Sequence, residues 1–416
     1  MKRKLILSTI LISMLLVGCG NKKTSSGSSS SEDVIPDYQE NPEGYVDVLP
    51  EKTSQGNILH CFDWSFNQIK ENLPAIKEAG FRSVQTSPVQ QPKSNGSAWW
   101  AFYQPLSFSI ADNSPLGTKE ELRELCDEAE AQGISVICDI VFNHLANIAD
   151  GELEPDGTPK VCPDVETYEP EIYAHRNGAV NPTFHHGGTG ETQTYPYGDL
   201  PDLNTSNELV QERAYSLLKE CIDVGVDGFR FDAAKHIETS KDGAVSSSFW
   251  NNTLVKAQGY YNDKTGKDLY AYGEILGTLS SGRDISGYSD IMDITDDGTG
   301  GAVSNAIRSS DANRLASTTY GKMGVGPEQL VSWVESHDTY TSSSSNLSEK
   351  RVIKGWAAVA SRKDNRGLFF ARPSDDLAVA HIGSYTFENE VVASVNRFKN
   401  RFIGSEEERS AENDST

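Results

Sequence analysis

The segment "GFRFDAAKH", Gly228 to His236, sets Arg230, Asp232, Lys235 and His236 inside a run that otherwise looks like a buried strand. Strand interiors favour Val, Ile and Phe. A charge buried without partners is costly. The segment is therefore either a salt-bridged strand end or the floor of an active site. Two further carboxylates stand in comparable places: Glu274 in "LYAYGEIL" and Asp338 in "QLVSWVESHD". Paired carboxylates suit glycoside hydrolysis, in which one attacks the anomeric carbon and the other protonates the leaving oxygen. Arg230 lies two residues before Asp232, so both point to one strand face. Its charge favours an ionised Asp232, as an attacking carboxylate requires. Glu274, as an acid, must stay protonated, which needs a pKa raised by burial or by neighbouring carboxylates.

These residues need a frame that brings separate strand ends together. From Asn57 onward strand and helix signals alternate. "NILHCF", "FRSVQTSPV", "ISVICDIVFNH", "VDGFRFDAA", "LYAYGEIL", "YSDIMDI", "QLVSWVESHD" and "GLFFARP" read as eight strands. The third is almost continuously apolar, as a parallel strand buried on both faces is. Ser65 with Gln68, and Thr118 with Glu121, have capping-box spacing. Phe66, Ile69, Leu73 and Ile76 follow the first box at helical period, and Leu122, Leu125, Cys126 and Ala129 the second. Eight βα units predict an α/β fold, a closed (β/α)8 TIM barrel, with functional residues at the carboxyl ends of its strands. No GxGxxG follows the first strand, which counts against a dinucleotide-binding sheet. An acid after a strand is often only a helix cap. Here polar residues close four strands: Asp139, Asn143 and His144; Arg230 to His236; Glu274; and Glu335, His337 and Asp338. That agreement favours a site. Residues 145–200 break the alternation and are too long for a bare loop. They are read as a small irregular or β-rich insertion domain after strand three, with the barrel spanning 47–144 and 201–405.

The chain has 416 residues and a formal net charge of −23. Such acidity disfavours nucleic acid and anionic membranes as partners, and no obligate protein partner is evident. Lys2, Arg3 and Lys4 precede an apolar stretch, Leu5 to Val17, that is short for a membrane span. It ends in "LLVGCG". Residues 1–18 are read as a lipoprotein signal peptide, with Cys19 lipidated after cleavage. Residues 19–46 are then a Ser-rich tether. This predicts an exported protein held at the outer face of a bacterial membrane through its lipid alone, or secreted. Five other cysteines remain, an odd number, and are read mainly as buried thiols. Residues 406–416 form an acidic tail expected to fray into solvent.

The motifs together resemble the α-amylase family of retaining glycoside hydrolases, over about Ile58 to Ser410. "DIVFNH", "GFRFDAAKH", "GEIL" and "VESHDT" resemble its third, fourth, fifth and seventh strand motifs, in the family's order. "LPDLN" resembles the segment closing its insertion domain. "WWAFYQPLSF" is similar to an aromatic substrate loop, and "VNRFKNRFIGSEEE" to the last barrel helix of the bacterial saccharifying group. The resemblance implies Asp232 as nucleophile, Glu274 as general acid/base and Asp338 as transition-state stabiliser, with Arg230 orienting Asp232. It implies that His144 and His337 bond the sugar and that Tyr103 stacks on it, with Trp100 and Gln104 adjacent. Lys235 and His236 are implied on the leaving-group side. It also implies a Ca2+ ion held by Asn143, Asp202 and the carbonyl of His236, oxygen donors suited to a hard cation. The implied reaction is endo-hydrolysis of α-1,4-glucan or maltooligosaccharide with retention. A glucanotransferase or α-glucosidase would share these residues, and a non-catalytic glucan-binding lipoprotein would be expected to lack some of the carboxylates. The family's C-terminal β-sandwich is not expected in this chain.

Overall fold

Two helix starts show how local sequence fixes the frame. Gln68 N–H donates to Ser65 Oγ at 3.2 Å, and Ser65 N–H donates to Gln68 Oε1 at 2.9 Å. Thr118 and Glu121 reproduce the arrangement at 3.3 and 2.8 Å. Each box satisfies two amide donors that helix geometry leaves open. The helices that follow, α1 (Phe66–Glu78) and α2 (Lys119–Gln132), bury the apolar stripes read from the sequence.

In this computed structural model the described residues are 48–186, 200–277, 284–318, 324–343 and 346–412. The signal peptide, Cys19 and the tether lie outside them. No helix among the described residues is long and apolar enough to cross a membrane. Ten strands are described: β1 (Ile58–His60), β2 (Ser83–Gln85), β3 (Gln90–Pro92), β4 (Pro105–Ile110), β5 (Ser135–Val141), β6 (Gly228–Asp232), β7 (Tyr270–Gly273), β8 (Asp293–Thr295), β9 (Leu330–Ser332) and β10 (Arg366–Phe370). Eight close a barrel in the order β1-β10-β9-β8-β7-β6-β5-β2, every neighbouring pair parallel. These are the eight strands expected. β5 is buried at all seven positions, as its apolar run predicts. The main core lies between the strands and the surrounding helices, α3 (Glu208–Asp223), α4 (Lys256–Thr265), α5 (Asp297–Ser309), α6 (Glu349–Ala360) and α7 (Glu390–Arg401) among them. A smaller cluster, including Ile58, Ile137, Tyr272, Trp333 and Leu368, fills the barrel itself.

β3 and β4 pair antiparallel outside the barrel and carry the aromatic segment Trp99–Tyr103 as a 3-10 turn between them. The described part of 145–200 is irregular. It has isolated bridges such as Asn147 to Val161 and two short helical turns, Val165–Tyr168 and Pro170–Ala174. The acidic tail does not fray from its start. Glu407 pairs with Arg362 at 2.8 Å and Arg409 at 3.0 Å, and accepts the Lys363 amide at 2.7 Å. All five described cysteines are buried and unpaired.

Candidate active site

Register explains the charged run. Asp139 on β5 stands opposite Arg230 on β6. Two residues that each look like a misplaced charge in an apolar strand thus neutralise one another across the barrel wall. Arg230 Nη1 donates to both Asp139 oxygens at 2.9 Å and to Asp232 Oδ1 at 2.8 Å. Its Nη2 lies 3.0 Å from Glu274 Oε2. One guanidinium therefore holds three carboxylates from three adjacent strands. The planar fork of Arg suits this better than the point charge of Lys. The chain turns sharply after Asp232. Ala233 adopts a left-handed conformation (φ 47, ψ 28), uncommon for a residue with a side chain. The turn aims Ala233 N–H at Glu274 Oε2, 2.8 Å away.

Asp338 enters from the loop after β9, on a short helix that Ser336 caps. His337 Nε2 is 3.5 Å from Asp338 Oδ1. The His337 ring stacks on Tyr103 (centroids 5.2 Å, interplanar angle 7°) and on Phe62 (5.4 Å, 21°). Tyr103 donates its hydroxyl to Asp139 Oδ2 at 3.1 Å and accepts His144 Nε2 on its carbonyl at 2.9 Å. A carbonyl only accepts, so His144 carries its proton on Nε2. Its Nδ1 is then free to accept from the Asn143 amide at 3.4 Å. Burial drives the pKa of His144 down to about 4 and also lowers that of His337. Both rings are neutral at ordinary pH.

The carboxylates move the other way. Burial raises Glu274; Arg230 offsets this in part, and the charges of Asp232 and Asp338 add to the rise. Burial also raises Asp139, to about 7, against the pull of Arg230. The sequence reading expects Arg230 to hold Asp232 low. Burial and the Asp338 charge outweigh it, and Asp232 too stands above the ordinary range. One cation shared among so many acids cannot hold all of them low.

Glu274, Asp338, Arg230 and His337 line one cavity of about 380 Å3. Trp100 is exposed on the aromatic turn, with Lys93 Nζ 6.0 Å from its ring centre. Lys93 Nζ also donates to Gln104 Oε1 at 3.0 Å. Lys235 Nζ lies 3.4 Å from the Leu276 carbonyl. His236 is 3% exposed, so its ring is packed away instead of standing on an open cleft wall. Asp202 is fully buried and bridges His144 across an antiparallel contact. His185 Nδ1 meets its Oδ2 at 2.7 Å, while Oδ1 has no hydrogen bond of normal geometry. Burial raises its pKa strongly, and the nearby Asn143 amide offsets only part of that cost. A buried carboxylate with a bare oxygen suits a cation. No group of three or more His, Cys, Asp or Glu side chains among the described residues could hold a metal. A cation here must rely on amide and carbonyl oxygens beside Asp202.

The profile of the alpha-amylase catalytic domain matches residues 48–278. An alpha-amylase of Clostridium acetobutylicum is 36% identical over 369 residues, covering 86% of this chain and 45% of that protein. One of Butyrivibrio fibrisolvens is 31% identical over 409 residues, covering 86% and 40%. The chain thus spans less than half the length of these curated relatives. Among solved structures, alpha-amylase I of Eisenia fetida superposes with a TM-score of 0.64 at 17% identity, covering 86% of this chain and 80% of that one. A variant of that protein in complex with maltohexaose gives 0.62 at 18%, with the same coverage. At such identities the likeness is one of fold.

Proposed function

The chain belongs to the α-amylase family, and we propose that it hydrolyses internal α-1,4 bonds of starch-like glucans with retention of configuration. The observation that carries this reading is Arg230 gathering Asp139, Asp232 and Glu274 from adjacent strands, with Arg230 and Glu274 lining the cavity that Asp338 and His337 also line. Asp232 attacks the anomeric carbon while Glu274 gives its proton to the leaving oxygen. The glycosyl group rests on Asp232. Glu274, now a base, takes a proton from water, which displaces Asp232 from the opposite face. Asp338 stabilises the positive charge that develops on the sugar ring. His144 and His337, both neutral, bond its hydroxyls. Tyr103, Trp100 and Gln104 receive the sugar faces and edges, since flat rings pack well against pyranose C–H surfaces. Lys235 reaches toward the leaving-group side. His236 contributes through its backbone.

Two inversions give net retention. Proton NMR of the first products, before mutarotation, is expected to show the α-anomer. Initial β-anomer would mean a single displacement and would end the assignment of Asp232. Asp232→Asn is expected to lose activity by orders of magnitude while still binding maltooligosaccharide.

We propose further that Asn143, Asp202 and the His236 carbonyl hold Ca2+. The bare Oδ1 of Asp202 supports this. The ion would tie the insertion to the barrel and shape the cleft. A ligand bound only by the folded state stabilises it, so a chelator is expected to lower Tm. Asp202→Ala should lose that response, and a chelator-insensitive Tm for the calcium-loaded wild type would count against the site. The leader read before Cys19 supports export and lipid tethering. Mass spectrometry of the mature N-terminus checks this, and Cys19→Ser should release the protein from the membrane.

A further inference from the structure

His60 closes β1 at its carboxyl end. It is 1% exposed, and neither ring nitrogen has a hydrogen bond. A buried imidazole with both nitrogens unsatisfied is costly, and simple packing does not account for it. Phe62 and Phe370 surround the ring, at centroid distances of 5.6 and 5.8 Å. A phenyl ring there would avoid the cost altogether. His60 also lines the cavity that Arg230, Glu274 and His337 line, together with Gln85 and Tyr272, whose polar groups bond each other. That volume takes on the order of ten waters. Neither nitrogen faces the open part of that cavity, so water that satisfies one must be enclosed in its floor, the ordinary means by which such buried nitrogens are satisfied.

The neighbour of His60 matters. Its ring stands perpendicular to His337, centroids 5.5 Å apart. Stacking on Tyr103 and Phe62 fixes the plane of His337. It leaves the ring's position within that plane to its remaining neighbours, Asp338 and His60 among them. We infer that ordered water in the cavity floor is bound to His60, and that His60, through this water and its contact with His337, is a positioning residue for the cleavage site. The inference rests on the reading of His337 as a sugar-binding group.

The full-length chain with His60→Phe tests it. Phe keeps a ring among apolar neighbours and removes both nitrogens. If His60 only packs, His60→Phe keeps wild-type kcat and matches or exceeds wild-type Tm. If it positions His337, kcat falls about tenfold, the loss expected for about one hydrogen bond felt in the transition state, while KM changes little. His60→Gln, which can hold water, is expected to recover part of kcat. Wild-type kcat in His60→Phe, beside a wild type that cleaves starch and an inactive Asp232→Asn, overturns the inference and leaves the proposed reaction standing. A high-resolution crystal structure of the wild type decides the water independently of activity or of how the variants fold. Solvent is expected within about 2.7–3.2 Å of a His60 nitrogen, and its absence overturns the inference.

Discussion

Glu274 shows how one residue's surroundings set its chemistry. It is held by Arg230 and the Ala233 amide, both of which favour the charged form, yet burial and two neighbouring carboxylates raise its pKa. The alkaline limb of the activity profile is therefore expected to follow loss of the Glu274 proton, and the acid limb protonation of Asp232. Glu274→Gln should lose most rate on starch and least on aryl glycosides with good leaving groups, and its residual activity should lack the alkaline limb. A profile of unchanged shape would show that another group is the acid. Asp232, Glu274 and Asp338 were legible in the sequence because they break apolar or turn patterns at strand ends. Asp139 is visible there too, but its role is not. Its partner, Arg230, is 91 residues away, and only strand register reveals that the two charges face each other. His185, which clamps Asp202, lies in an irregular segment where no period assigns a direction to a side chain. His60 was hidden because a histidine in a strand carries no signal until its hydrogen bonds can be counted.

At the scale of elements, α5 meets β9 through a glycine. A Cβ on Gly300 would lie 2.6 Å from the Trp333 carbonyl oxygen, whereas one on Gly301 would meet nothing within 4 Å. Alanine gains roughly 1 kcal/mol over glycine inside a helix. At position 301 that gain stands alone, so Gly301→Ala is expected to raise stability. At position 300 it opposes a clash with backbone, which cannot swing aside, and overpacking of this kind costs about 1–3 kcal/mol. Gly300→Ala is expected to lower Tm. Denaturant unfolding of the pair checks the contrast in sign. The barrel strands and capped helices were legible because each pattern is local: an apolar run, a capping box, an apolar stripe. The β3–β4 hairpin was not. Its first strand, Gln90–Pro92, has no apolar alternation and owes its existence to pairing with Pro105–Ile110.

For the whole molecule, the closed barrel also has an end away from the chemistry. Lys399 of α7 is buried beside the start of β10, and its ammonium donates to the Asn365 carbonyl. Burial, aided by Arg366, lowers its pKa from 10.5 to about 7. Between those values the unfolded chain holds a proton that the fold does not, so this residue makes stability rise with pH from about 7 to about 10. Its contribution is lost as pH falls through the folded value. Lys399→Met is expected to flatten that part of the Tm–pH curve and to leave catalysis unchanged. A curve of wild-type slope would mean that other groups carry the dependence. The eight-unit count made the barrel legible from sequence alone. The anchoring of the tail by Glu407 was not, because an acidic stretch looks the same whether it pairs with Arg362 or faces water.

The buried, unpaired cysteines make the molecule its own reporter of opening. Cys138 sits on β5, Cys126 and Cys221 on α2 and α3 against it, Cys61 just past β1, and Cys162 in the insertion. An alkylating reagent reaches each thiol only when the surrounding structure parts, so labelling rate measures the free energy of that event. Modification of Cys162 ahead of the other four would show the insertion loosening while the barrel stays shut. Simultaneous modification of all five would show that the two open as one unit.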